Sequence, residues 1–224
     1  MDLILAVDTA TSVAGVALWS PARLLAEETW TTRGNHTVEL LPTVDRLLER
    51  AQTRPDDLTA LAVTQGPGSF TGVRIGMSLV KGLALALAVP LVAVPTLEVT
   101  AYGQSTRHLP VRAVIQAGRG RLCWADFRWH HRRWHQEGDI ALGRLEDLVA
   151  EVRERTLFCG ELYEEETAAV QQALGATAVI ASPAEGLRRA SYLAEIAYRR
   201  LSRNEPDAPA VSPVYLQPQG GVVG

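Results

Sequence analysis

The sequence has few of the features that mark a secreted or membrane protein. It has only two cysteines, Cys123 and Cys159, which lie far apart and form no Cys-x-x-Cys pair. This excludes a disulfide framework and favours a reduced, cytoplasmic protein. No basic region precedes the N-terminal apolar run, so it does not resemble a signal peptide. The longest apolar stretch, 82–94, is shorter than the ~20 residues of a membrane span, and we expect no membrane contact.

An excess of charge of one sign is also absent. The 22 basic and 25 acidic residues leave a net charge of −3, and Lys81 is the single lysine. Bulk charge therefore does not predict a protein that coats nucleic acid, although a local basic patch remains open. With 224 residues, 47% of them hydrophobic, the chain is long enough to bury a core without disulfides or metals.

The common catalytic motifs are missing as well. The sequence has no Gly-x-Ser-x-Gly, no His-Glu-x-x-His and no pair of histidine ligands at helical spacing in a predicted helix. It also lacks the Gly-Lys-[Ser/Thr] that completes a nucleotide-binding P-loop. We infer that the chain by itself carries no complete active site.

Alternating apolar runs and helical periodicity predict an α/β fold. A β-rich run and a hairpin precede a helix over 37–51, and a short buried strand precedes a longer helix over 70–88. A second unit of hairpin strands followed by helices begins near residue 107. Its last hairpin strand is predicted over 132–136, the glutamates at 161 and 164–166 are placed at a helix start, and the final helix is predicted over 185–201. We therefore expect duplicated lobes with mixed sheets: an N-terminal α/β lobe (1–106), a C-terminal α/β lobe (107–204) and an extended C-terminal tail (205–224).

The strongest local signal is the run QGPGSFTGVRIG at 65–76, which joins a buried strand to a helix. Gly66 and Gly68 permit a sharp turn, and Ser69 can cap the helix. Backbone N–H groups at a helix start attract phosphate, so the turn is a candidate anion site. A capped turn without any ligand is the simpler explanation of the same residues.

Asp8 ends the first strand beside two threonines. A carboxylate in this place suits a contact with Mg²⁺ and phosphate, and it equally suits a local turn. The candidate nucleotide or phosphate contacts from both segments are Asp8, Thr9, Thr11, Gly66, Gly68 and Ser69.

The helix over 70–88 carries apolar residues on nearly every side, so it needs cover on all sides. One sheet covers only one side. Gly72 and Gly76 would let a second backbone approach closely, and the preceding helix carries Val38 and Leu41 beyond its core stripe. Two explanations stay open: the two helices cover each other, or they form an interface with another protein.

A second candidate surface lies between Arg107 and His135, a segment with seven arginines and four of the five histidines, interleaved with tryptophans. Cations among aromatic rings are typical of RNA-binding surfaces. A hairpin with a solvated cationic tip explains the same residues. His130 and His131 would point to opposite faces of a strand, which argues against a metal site.

Five short runs in the first half carry a family resemblance: DTATS at 8–12, His36 followed by LLP at 40–42, GPGSFTGVRIG at 66–76, KGLA at 81–84 and LE at 97–98. They are similar to the TsaB family, the dimerization subunit of the bacterial machinery that makes tRNA threonylcarbamoyladenosine. The resemblance is close through about residue 103 and loose afterwards, apart from PVYL at 213–216.

The resemblance implies a two-lobed actin-like ATPase fold, as in sugar kinases and heat-shock proteins. It also implies a cytoplasmic, non-catalytic partner of the transferase TsaD, which the ATPase TsaE joins. The complex binds tRNA and transfers a threonylcarbamoyl group to N6 of the adenosine beside the anticodon. The chain alone would hold no cofactor, with ATP or ADP and Mg at the complex interface as an option.

In the family, the helices that here span 37–51 and 70–88 pair with TsaD, and the same face can form a homodimer when the chain is alone. The interface residues that the resemblance implies are Val38, Leu41, Val73, Arg74, Met77, Val80 and Lys81.

The related transferase holds its metal with two histidines four residues apart, and Thr96 and Thr100 occupy those positions here. A threonine hydroxyl is a poor transition-metal ligand, so the resemblance implies that the metal site is lost and that the chain is not an enzyme. The chain also departs from the family at Gln116 and Gln217. Two alternatives stay open: a nucleotide-binding ATPase-like enzyme acting alone, and a tRNA-binding module.

Overall fold

The computed structural model describes residues 2–203 and 212–214. The first half of the chain forms five strands and three helices: β1 (Ile4–Asp8), β2 (Val13–Ser20), β3 (Arg23–Thr31), α1 (His36–Arg50), β4 (Ala60–Thr64), α2 (Phe70–Leu87), β5 (Leu91–Val94) and α3 (Thr96–Tyr102). The second half repeats this content: β6 (Val111–Gln116), β7 (Leu122–His130), β8 (Arg133–Gly143), α4 (Leu145–Ala150), β9 (Thr156–Gly160), α5 (Glu164–Leu174), β10 (Ala178–Ile180) and α6 (Ala190–Ser202).

The two sheets share one connectivity. The first has the order β3-β2-β1-β4-β5, and the second, taken from its opposite edge, has the order β8-β7-β6-β9-β10. In both, the central strand pairs antiparallel with the hairpin strand that follows it and parallel with the next strand beyond. This repetition confirms the prediction of two duplicated α/β lobes with mixed sheets.

Helices cover both faces of each sheet. On the first sheet, α1 and α2 pack on one face and α6 on the other. Alternate residues of β1 serve the two faces, since Val7 lies in the core under α2 and Ala6 in the core under α6. On the second sheet, α3 packs on one face, and α4 and α5 pack on the other. Helix α3 of the first half therefore packs on the second sheet, and helix α6 of the second half packs on the first sheet.

Two element boundaries differ from the sequence prediction. The hairpin strand expected over 132–136 continues to Gly143, because a register shift near Trp124 lets β7 and β8 stay paired beyond it. The final helix, expected from residue 185, begins at Ala190. The backbone of Arg189 is extended, with φ −108° and ψ 138°, so the helix does not begin before Ala190.

Helix α2 is long and apolar enough, by length and composition alone, to cross a membrane. Core helices of globular proteins meet the same criterion, and here one side of α2 packs on the first sheet. Most of the predicted tail, including Tyr215, Leu216 and Gln217, lies outside the described residues. Val214 is described, and its N–H donates to the carbonyl of Gln65 at 2.7 Å.

Candidate functional site: an interlobe ion network and an exposed helix face

Asp8 ends β1 in the cleft between the lobes, where its side chain is buried. One carboxylate oxygen accepts hydrogen bonds from Thr64 Oγ1 at 2.9 Å and from the Ala10 N–H at 3.0 Å. The other oxygen forms an ion pair with Arg188. Both carboxylate oxygens are therefore engaged by groups of the protein itself.

Arg188 precedes α6 and is only 3% exposed. Besides Asp8, its guanidinium contacts Glu161 Oε1 at 3.1 Å, Thr11 Oγ1 at 2.8 Å and the Val13 carbonyl at 3.1 Å. Burial works against the charged guanidinium, but the carboxylates of Asp8 and Glu161 raise its pKa, so the side chain stays charged. The network joins the first strand of one lobe to the end of β9 in the other.

This network does not fit the predicted contact of Asp8, Thr9 and Thr11 with a Mg–nucleotide. The guanidinium of Arg188 lies against the carboxylate that would hold the cation. Thr9 is fully buried, and its hydroxyl donates to the Gly72 carbonyl at 2.7 Å. Thr11 is hydrogen-bonded to both Glu161 and Arg188. All three residues thus have partners within the protein, and their contact with a Mg–nucleotide stays a prediction.

The turn before α2 is the capped turn that the sequence predicts. Ser69 Oγ accepts from the Gly72 N–H at 3.2 Å, and Ser69 N–H donates to the Ala10 carbonyl at 2.6 Å. Gly66 has φ +102°, and a side chain at Gly68 would collide with the backbone of Ala10. The glycines thus serve close packing. Gly68 and Ser69 also line a cavity of about 630 Å³, and their contact with a phosphate stays a prediction, as does that of Gly66.

Thr96 and Thr100 lie on α3 and are both buried. The Thr100 hydroxyl donates to the Thr96 carbonyl at 2.9 Å, as expected one helical turn away. Within residues 2–203 and 212–214, no group of three or more His, Cys, Asp or Glu side chains is arranged to hold a metal ion.

Gln116, where the sequence departs from the family pattern, holds the second lobe's loops together. Its amide nitrogen donates to the Glu161 carbonyl at 3.0 Å and to Glu166 Oε2 at 2.9 Å. Cavities of about 720 Å³ and 630 Å³ flank the ion network, one beside α5 and the other beside the turn before α2. Glu161 was expected at the start of a helix, but α5 begins at Glu164 and Glu161 lies in the cleft.

Exposed apolar side chains lie on the outer side of α1 and α2, and we call this surface the α1–α2 face. Its large apolar side chains are well exposed: Val38 is 71%, Leu41 48%, Phe70 55% and Leu85 86% exposed. Between the two helices lies a groove of about 530 Å³ that Leu41 and Phe70 line. The guanidinium of Arg74 lies 3.6 Å from the centre of the Phe70 ring.

The structure divides the predicted interface residues into two groups. Val38, Leu41, Arg74 and Lys81 are exposed on the α1–α2 face. Three others, Val73, Met77 and Val80, are at most 3% exposed because they pack on the first sheet. The prediction is wrong for those three as direct partner contacts. Phe70 and Leu85 were not among the predicted interface residues, although a helix that is apolar on every side was a signal for them.

The basic segment 107–135 is only partly a surface. Trp124 and Trp134 are buried in the second lobe, and Arg112 is buried in an ion pair with Asp126 at 2.7 Å. At the tip of the β7–β8 hairpin, the rings of His130 and His135 stack with centroids 3.7 Å apart. The interleaving of cations and exposed rings that the sequence suggested is therefore confined to the hairpin tip and its neighbours.

Comparison with known proteins shows which family the chain belongs to. A family model described as "TsaD: tRNA N6-adenosine threonylcarbamoyltransferase" matches residues 23–198. The tRNA threonylcarbamoyladenosine biosynthesis protein TsaB of Bacillus subtilis (strain 168) is 30% identical over 219 residues, which are 96% of this chain and 93% of that protein. The chain belongs to the TsaB family.

Two further similarities agree with membership of the TsaB family. The protein of the same name from Escherichia coli (strain K12) is 41% identical over 137 residues, which are 60% of this chain and 59% of that protein. That match spans less than two thirds of the E. coli protein. The structure of YeaZ from Pseudomonas aeruginosa is 28% identical, with a TM-score of 0.79, and the match covers 96% of this chain and 100% of that one.

These similarities and the repeated sheet connectivity confirm the two-lobed actin-like fold. They also show that the TsaB family shares a domain with the threonylcarbamoyltransferases, since the transferase model covers most of the chain.

Proposed function

We propose that this chain is a non-catalytic subunit in the biosynthesis of tRNA threonylcarbamoyladenosine and that it activates a TsaD-type transferase by binding it. The biological process is inferred from family membership, because a relative named for that process is similar over almost the whole chain. Binding to the transferase is inferred from the α1–α2 face, because this surface is apolar and exposed.

The α1–α2 face has the chemistry of a protein interface. Leu41 and Phe70 provide an apolar centre at the groove, Leu85 adds exposed apolar surface further along α2, and Arg74 and Lys81 provide cations. The groove between the helices would take side chains of a partner helix. The same face would form a homodimer when the transferase is absent.

The interlobe network supports a non-catalytic role. In an enzyme that acts alone on a nucleotide, a carboxylate in the position of Asp8 would need to reach Mg²⁺ or phosphate. Here Asp8 contacts Arg188, Thr64 and Ala10. We propose that the chain alone holds no nucleotide and that any ATP or ADP with Mg bound at the complex interface depends on groups of the partners.

The other partners and the compartment are likewise proposed from membership of the family. A TsaE-type ATPase would join the pair, and tRNA would bind to the assembled complex. The chain would act in the cytoplasm, where its two buried thiols stay reduced.

A pairing experiment tests the proposed interface. The chain and a TsaD-type transferase from the same organism are mixed and their dissociation constant is measured by calorimetry. Leu41→Glu and Phe70→Glu should each weaken pairing by at least about tenfold, because each places a charge in the apolar centre of the interface. Leu24→Glu is the matched control, since Leu24 is 40% exposed but lies on β3, away from the groove.

Full-strength pairing by both face variants would contradict the interface. Equal weakening by the Leu24 control would also contradict it, because that result would report a general effect of added negative charge.

A further inference from the structure

The last described residues of the chain, 212–214, lie against the turn before α2. The Val214 N–H donates to the Gln65 carbonyl at 2.7 Å. A side chain at Gly66 would place its Cβ atom 2.5 Å from the Val214 carbonyl oxygen, so only glycine lets the segment approach this closely. The contact fixes the place from which residues 215–224 continue.

A cavity begins one residue further along the same turn. Pro67 and Gly68 line it from the first lobe, and Ile115 and Leu142 line it from the second. We call this space of about 630 Å³ the interlobe cavity. Each residue of extended chain spans about 3.3–3.6 Å, so the two residues that follow Val214 are long enough to reach it.

The walls of the interlobe cavity combine apolar surface with an unsatisfied hydrogen-bond donor. Ile115, Cys123 and Leu142 supply apolar surface. Arg121 precedes β7 and also lines the cavity, and its buried Nε has no hydrogen-bond partner among the residues that the structure describes. A buried donor without a partner is costly, so the cavity favours an occupant with an apolar body and an acceptor oxygen.

The residues that follow Val214 in the sequence have this chemistry. The side chain of Tyr215 is a large apolar ring with a hydroxyl oxygen that can accept from a guanidinium. Leu216 adds a second apolar side chain. The next five residues, QPQGG at 217–221, include no aromatic or branched aliphatic side chain. Tyr215 and Leu216 are therefore the part of the tail that suits the cavity.

We propose that Tyr215 and Leu216 of the chain's own tail dock in the interlobe cavity, where the Tyr215 hydroxyl accepts a hydrogen bond from Arg121 Nε. The docked side chains fill the space beside Gly68 and Ser69. A phosphate would then contact these two residues only after the tail leaves the cavity. The proposal goes beyond the proposed function and does not depend on it.

A photo-crosslinking experiment on the full chain tests the position of the tail. Tyr215 is replaced by the photoreactive residue p-benzoylphenylalanine, and the linked peptides are identified by mass spectrometry after irradiation. The matched control carries the same photoreactive residue in place of Val222, further along the same tail. We expect position 215 to link within its own chain to residues 115–123 or to Leu142, and position 222 to give no such link.

The other results would overturn the proposal. Links from position 215 to α1 or α2 alone would show that the tail docks on the α1–α2 face instead. Links between two chains would show that the tail of a second copy fills the cavity. Equal linking from position 222, or no link to the second lobe, would show that Tyr215 is not held there.

Hydrogen exchange of the turn between β6 and β7 gives a second readout in folded protein. Exchange of the amides at 117–121 should be at least about threefold faster in Tyr215→Ala than in the unaltered chain, because the turn would lose its cover, and unchanged in Val222→Ala. Equal rates in the two variants would contradict the docking. Protection of the turn by ATP with Mg²⁺, without a link from position 215 to the second lobe, would assign the cavity to a nucleotide instead of the tail.

Both measurements use the chain alone, so they do not involve the TsaD-type transferase. Failure of the crosslink and of the exchange difference would overturn the docked tail and leave the proposed function in place. Failure of pairing with the transferase would overturn the proposed function and leave the docked tail in place.

Discussion

The guanidinium of Arg188 forms a buried ion pair with the carboxylate of Asp8, 180 residues earlier in the chain. Both side chains are 2% exposed, and Glu161 from the second lobe completes the network. The pair joins the end of the first strand to the segment that leads into the last helix, so it fixes the two lobes relative to each other.

The first prediction concerns the stability that this network provides. Arg188→Met should lower the free energy of unfolding by about 3–5 kcal/mol, because Asp8 and Glu161 would stay buried without their cation. Urea denaturation measures the change. Arg46→Met is the control, since Arg46 forms an exposed pair with Glu28 at 2.9 Å and its loss should cost about 1 kcal/mol or less. Similar losses for the two variants would contradict the assignment of Arg188.

The second prediction concerns the pH dependence of stability. Burial lowers the pKa of His36 below its ordinary value of 6.5, although Glu39 and Asp8 act in the opposite direction. As the pH falls, His36 therefore binds its proton in the unfolded chain before it does so in the folded chain. The contribution of neutral His36 to the free energy of unfolding should be complete above pH 6.5 and be lost as the pH falls through the pKa of the folded state. Urea titrations across this range should show the fall, and His36→Asn should remove that component. An unchanged pH profile in the variant would rule out His36 as its source.

The third prediction compares two glycines of the same helix. A side chain at Gly72 would collide with the backbone carbonyl of Thr9, whereas Gly82 has open space around its Cα. Gly72→Ala should lower the melting temperature by several degrees, because α2 could no longer lie against the loop after β1. Gly82→Ala should leave the melting temperature unchanged or raise it. Alanine is the better helix former, and the substitution should add up to about 0.5–1 kcal/mol to the free energy of unfolding. The reverse order would contradict the close packing of α2.

The fourth prediction concerns the thiols. Cys123 and Cys159 are both buried, and burial raises the pKa of Cys123 to about 12 and that of Cys159 further. Neither should react with a disulfide reagent such as Ellman's reagent at pH 8 in the native protein, and both should react in urea. Rapid reaction of the folded protein would show that one of the thiols is accessible.

The sequence predicted the order of strands and helices well, because each short apolar run is bounded by its own turn residues. It also predicted the capped turn at Ser69, which depends only on local chemistry. It did not reveal Arg188. That residue was placed inside a helix, and a pair formed across 180 residues leaves no periodic signal.

The partner face was predicted only in part for a related reason. In a helix that is apolar on every side, periodicity does not separate the buried side from the exposed side. Val73, Met77 and Val80 turn toward the sheet, while Phe70 and Leu85 turn outward, and only the position of the sheet decides this. The glutamate at 161 was misplaced because an acidic run beside a helix start resembles dipole stabilisation.

The most direct test of the central claim is a tRNA modification assay with purified components. Labelled threonine incorporation into unmodified tRNA is measured with the chain alone, with the TsaD-type transferase alone, and with both, each with the remaining proteins of the reaction supplied. We expect incorporation only when both are present, and we expect it to be lost with Leu41→Glu/Phe70→Glu but not with Leu24→Glu. Incorporation by the chain without the transferase would contradict it.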